Sequence, residues 1–194
     1  MTPPRCAAVA ALLILALAVQ SVPSPANGQI PGGPMISDPA TSSPLVTTQR
    51  IGLNIAGAEL ILDAAKRKAA AMGLKVNIAI VDDGGHLISF ARMDGARPAS
   101  GYTALTKAIS AATFRQESGT MPANGEPDSL LSLSLQNAAL SSGGKITTLK
   151  GGVPIVVEGQ IIGAVGVGGG TGDQDAQVAK AGIQSLLDQL KPKN

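Results

Sequence analysis

The chain is poor in the residues on which most catalysis and most base stacking depend. Its 194 residues hold one cysteine, one histidine, one tyrosine, two phenylalanines and no tryptophan. The lone cysteine, Cys6, falls in a stretch that reads as a leader, so a disulfide framework, a thiolate zinc site and a cysteine nucleophile are excluded from the mature protein. One histidine cannot assemble a multi-histidine metal centre, and a serine triad would need it beside a nucleophile that the sequence does not mark. Phe90, Phe114 and Tyr102 are too few to form a platform for nucleobases. Charge is equally sparse, with a formal net charge of +2 and no basic run, which argues against a nucleic-acid binder. Small aliphatic residues dominate instead, and they imply helices packed closely on a sheet.

The front of the chain has its own character. Arg5 precedes an unbroken apolar run from Ala7 to Val19, and Ser21, Pro23 and Pro25 follow. Residues 1–26 read as a signal peptide, with Ser24 and Ala26 as small residues at the −3 and −1 positions of a cleavage site. The competing reading is an uncleaved anchor, although the run is shorter than the roughly 20 residues of a membrane span. Cys6 precedes the run instead of following it, which does not suit a lipoprotein. Removal of the leader leaves 14 basic against 13 acidic residues. The expected product is exported, periplasmic or extracellular, and free of the membrane. Residues 27–46, rich in Pro, Gly, Ser and Thr, read as a flexible linker.

From Thr47 onward the pattern becomes regular. Thr47 or Thr48 is expected to cap a helix running to about Met72, because Ile51, Ile55, Ala58, Leu62, Ala65, Ala69 and Met72 make one apolar stripe. Lys66, Arg67 and Lys68 near its end suit the helix dipole and read as a solvated face. Val76–Val81 and Leu87–Met93 predict a hairpin around Asp82-Asp83-Gly84-Gly85-His86. A helix is expected over 99–117, a Pro- and Gly-rich loop over 119–127, and a short helix over 129–140. A second hairpin, Val153–Val157 with Gln160–Val167, turns at Glu158-Gly159, and Pro154 points to an edge strand. Gly163, Gly166 and Gly168 thin its second strand where a helix comes close. A last helix runs from Asp173 to Leu190. Hairpins kept apart from helices make an α+β domain with a four- to five-stranded antiparallel sheet covered by helices.

Few constellations carry chemistry. The turn Gly166-Val-Gly168-Gly-Gly170-Thr-Gly172 opens a helix but does not match the dinucleotide fingerprint, and a turn needing positive φ explains it better. Asp173 and Asp175 could hold a hard cation, yet acids in a first helical turn are also what the dipole favours. His86 stands at the start of a returning strand. It could serve as an axial ligand to a porphyrin iron, or be a turn histidine bonded to Asp82 or Asp83. Arg92, Arg97, Lys107 and Arg115 could pair with carboxylates, including tetrapyrrole propionates, or simply form surface ion pairs.

Several long blocks then resemble one family. They are Ile78-Ala-Ile-Val-Asp-Asp-Gly-Gly-His86-Leu, Arg92-Met-Asp94, Lys107 with Ala111-Ala-Thr-Phe114, Gly151 to Val167, and Thr171 to Lys180. Together they span nearly all of residues 47–191 and resemble the GlcG/HbpS family of haem-binding-type proteins. The resemblance implies a profilin-like α/β/α domain and a tendency to form homo-oligomers. It also implies kinship with exported haem binders that accompany sensor or uptake systems, and with a domain fused to cobalamin adenosyltransferases. It raises His86 as the candidate iron ligand, with Arg92, Lys107 and Arg115 near the propionates. The chain departs from the family pattern between Gln116 and Leu140, where Met121 offers a thioether. The expectation is therefore an exported haem or tetrapyrrole binder. The alternatives are a small-molecule enzyme of 2-hydroxy-acid metabolism, with His86 as acid/base, and an oligomeric sensor-partner scaffold without cofactor.

Overall fold

The structure, a computed structural model, describes residues 49–119, 122–123 and 126–192. The leader, the linker, Thr47, Thr48 and Met121 lie outside the described residues. Four helices, two long hairpins and one very short one follow in the order α1 (Ile55–Ala71), β1 (Asn77–Asp82), β2 (Leu87–Arg92), α2 (Ser100–Phe114), β3 (Pro122–Ala123), β4 (Glu126–Pro127), α3 (Ser129–Ser141), β5 (Gly152–Val157), β6 (Gln160–Gly168) and α4 (Gly172–Leu190). No helix among the described residues is long and apolar enough to cross a membrane.

The main sheet has four strands in the order β2-β1-β6-β5, every neighbouring pair antiparallel. Both hairpins form as expected, and β6 joins β1 to close the two into one sheet. Glu158 and Gly159 both have positive φ, at 49° and 74°, which is the two-residue turn that matches strand twist. Pro154 does lie on an edge strand, where its missing N–H leaves no gap in a central ladder.

The first helix begins later than the stripe suggests. Asn54, not a threonine, is its N-cap, and the Asn54 side chain accepts from the Gly57 N–H at 2.9 Å. An asparagine amide caps as well as a threonine hydroxyl, and it stands one residue from the helix start. Ile51 then belongs to the extended entry, where its N–H donates to Gln160. Buried Ala58, Ile61, Leu62, Ala65 and Ala69 make the true inner face.

Helices cover the sheet from both sides. On one side α1 and α4 pack over Ile78, Ile80, Val153, Ile155, Val165 and Val167. On the other α2 lays Ala104, Ala108, Ala111 and Ala112 on Ala79, Val81 and Ala164. The expected thinning under a helix holds for two of the three glycines: a Cβ at Gly166 would fall on the Ala104 carbonyl oxygen and one at Gly168 on that of Ser100. At Gly163 it would meet the Val81 carbonyl of strand β1 instead of a helix, whereas Gly152 on β5 likewise lies under the Lys107 carbonyl. This α/β/α order matches the expected fold class. Helix α3 is a looser attachment; only Leu135 of it is buried, while Leu130, Leu133 and Leu140 are exposed.

Candidate functional site

The β1–β2 turn is a three-residue loop stapled by a side chain. The Gly85 N–H donates to the Asp82 carbonyl at 3.1 Å, Gly85 takes φ 84°, and the Asp82 N–H donates back to His86. That is a tight turn followed by a left-handed glycine, a conformation that a residue bearing a Cβ would strain. One carboxylate oxygen, Asp82 Oδ1, also accepts from the N–H groups of Gly84 at 2.9 Å and His86 at 2.8 Å. The His86 imidazole adds its Nδ1 at 3.3 Å from the same oxygen. Burial alone would raise the Asp82 carboxyl. The two backbone N–H groups and the nearby imidazole outweigh it and hold the group below its usual value.

The His86 side chain is 84 % exposed, and its Nε2 has no partner among the described residues. The sequence leaves open whether Asp82 or Asp83 holds the imidazole. The ring lies beside Asp82, whose Oδ1 is turned back onto the Gly84 and His86 N–H groups, whereas Asp83 pairs with Arg50. Behind the turn, Ile109 and Thr113 of α2 face Gly85, and Leu87 is half exposed at the start of β2.

The four residues expected around a ligand do not share one cavity. Arg115 lies just past the end of α2, in a left-handed conformation at φ 58°, and lines a cavity of about 530 Å³ together with Asp83 of the histidine turn. His86 and Arg115 therefore belong to the same end of the molecule. Arg92 ends β2, six residues from His86 and roughly 20 Å along an extended strand. It lines a different cavity, with Phe90 and Tyr102.

Lys107 is buried, in the wall of a separate cavity of about 620 Å³ that it shares with Arg97, Lys150 and Asp175. Its Nζ donates to Asp175 at 2.6 Å and to the Val167 carbonyl at 2.9 Å, with side-chain exposures of 6 % and 1 % for the ion pair. Asp175 Oδ1 also accepts from the Gly170 N–H at 2.9 Å. The pair thus ties α2, β6 and the start of α4 into one buried network. In sequence Asp175 stands only as an acid in the first turn of a helix, with nothing beside it to mark this partner. The signal was there only in the resemblance blocks, which contain both Lys107 and Asp175 but do not pair them. Asp173, its neighbour, is exposed and takes Lys150 at 2.5 Å, which lowers its carboxyl pKa.

Comparison with known proteins follows the same outline. The profile of a family described as "Haem degrading protein HbpS-like" matches residues 53–184. Protein GlcG of Escherichia coli (strain K12) is 44 % identical over 113 residues, 57 % of this chain and 76 % of that protein. The crystal structure of Klebsiella pneumoniae protein ORFY superposes with a TM-score of 0.63 at 27 % identity, covering 74 % of this chain and 97 % of that one. A double mutant of Streptomyces reticuli HbpS superposes with a TM-score of 0.58 at 31 % identity, covering 71 % and 89 %.

Proposed function

This chain belongs to the HbpS-like family, and from that premise we propose that it is an exported haem- or tetrapyrrole-binding protein with His86 as its iron ligand. The observation that carries the reading is the state of that imidazole. Its Nδ1 lies 3.3 Å from an Asp82 carboxylate oxygen and the ring is exposed, so the imidazole is open to a metal beside a carboxylate of the kind that orients metal-ligating histidines. His86 would hold the iron of a bound haem, a role for which a single histidine suffices.

Apolar side chains stand next to the turn. Leu87, Ile109 and the Thr113 methyl flank the turn. Arg115, at the same end, is the cation for a propionate; Arg92 is too far along β2 to share it, and Lys107 is occupied by Asp175. In this proposal a second copy of the chain covers the exposed imidazole. Export, the homo-oligomer and service to an uptake or sensor protein belong to the same proposal, and they rest on the leader-like residues 1–26 and on the family.

Haemin titrated into the full chain should give a saturable, shifted Soret band, and His86→Ala should change its position. Saturation that ignores the substitution would remove His86 from the iron. No saturation beyond that of an unrelated protein would end the haem reading.

A further inference from the structure

A second site lies away from the histidine turn, between β2 and the first turn of α2. It begins with Asn77, a fully buried residue on β1. The Asn77 Nδ2 donates to the Arg97 carbonyl at 3.0 Å, and since a carbonyl only accepts, this bond fixes which way the amide points. Its other end, Oδ1, accepts no hydrogen bond and is the one such buried side-chain atom among the described residues. Buried polar atoms without partners are few in native proteins, and each one asks for an explanation.

Asn77 lines a cavity of about 520 Å³ with Phe90, Arg92, Pro98, Tyr102 and Leu105. Gly101 forms part of its wall. A Cβ there would stand 3.6 Å from Asn77 Oδ1 and 3.4 Å from the tip of the Phe90 ring, so a larger side chain would crowd the approach to the oxygen. Arg92 is the cross-strand partner of Asn77, which places the two Cβ atoms roughly 5 Å apart on the same face. Arg92 makes no ion pair among the described residues. The first turn of α2 has no side-chain cap, and its dipole adds to the positive field of the guanidinium.

We infer that this cavity binds a small hydroxy-carboxylic acid with a ring-sized apolar body. The carboxylate pairs with Arg92, the neighbouring hydroxyl donates to Asn77 Oδ1, and the body lies among Phe90, Pro98, Tyr102 and Leu105. Because Asn77 and Arg92 are adjacent across the ladder, the two polar groups of the ligand must be adjacent as well. The hydroxyl carries the selectivity, since an analogue without it leaves the buried oxygen unpaired. The site is independent of haem and shares no residue with the His86 turn.

The test is calorimetric titration of the full chain with phenyllactate, hydrocinnamate (no hydroxyl) and phenyllactamide (no charge). Phenyllactate should bind saturably, and each analogue should bind about tenfold more weakly or worse. Arg92→Ala, at an exposed position on the edge strand, should weaken phenyllactate to a similar degree and leave phenyllactamide unchanged. His86→Ala should leave all three as they were. Equal binding of the three, no binding of any, or a phenyllactate affinity that follows His86 instead of Arg92 would each overturn the assignment.

Discussion

The two faces of the sheet are built on opposite rules. The α1/α4 side is filled with Ile and Val from β1, β5 and β6, so its stability comes from large side chains that interlock. The α2 side is built mainly of alanine and glycine around Val81, and there the helix backbone comes down onto the strands. The first side is closed over most of the sheet. On the second, the close seat of α2 over β6 and β5 leaves edge strand β2 exposed at Leu87, Phe90 and Arg92. Both proposed ligand sites lie along that strand. A packed face gives rigidity, and a thin one leaves an edge to work with.

The difference can be broken from either side. The largest effect belongs to the network that pins α2. Lys107→Met leaves Asp175 buried without its cation and should cost about 3–5 kcal/mol in urea unfolding, whereas adding Asp175→Leu should recover much of it. On the filled face, Ile78→Ala should cost about 2–5 kcal/mol, because a fully buried side chain is removed and a cavity stays behind. On the thin face the sign of the insult reverses. Gly166→Ala adds a single methyl group, yet it should destabilise by about 1–3 kcal/mol because the Ala104 carbonyl stands where that group must go. If Gly166→Ala were neutral, the contrast between the faces would fail.

The smallest effect is one of pH. The Asp82 carboxyl is held below its usual value in the folded protein, so its contribution is present above 3.8, the value of an unperturbed Asp, and is lost as pH falls through the depressed value. Asp82→Asn keeps an acceptor for the turn N–H groups but removes the titration. The stability difference between wild type and variant, read as urea midpoints, should shrink on acidification through that range. A constant difference would mean that the carboxylate charge plays no part in the turn.

Much of this was legible in the sequence, and what was missed has a physical pattern. Both long hairpins, the edge position of Pro154 and the glycine-thinned strand could be read because turn chemistry and alternation are local. The stripe points to a start at Thr47 or Thr48, because a four-and-three pattern does not reveal where the chain enters the helix; the Asn54 cap decides it. Arg92, Lys107 and Arg115 looked alike as cations near one strand and helix. Only the tertiary arrangement separates a buried counter-ion from a surface guanidinium. Asn77 gave no signal at all, since an asparagine in a strand announces neither its burial nor its unpaired oxygen.

The most direct test of where this protein does its work is a chemical-shift map of the labelled full chain with gallium protoporphyrin, a diamagnetic stand-in for haem. Perturbations gathered on residues 82–87 and the end of α2, around Thr113 and Arg115, with α1 and α4 silent, are the predicted result. Shifts centred on α1 and α4 would contradict the account, because they would place the ligand on the face described here as filled.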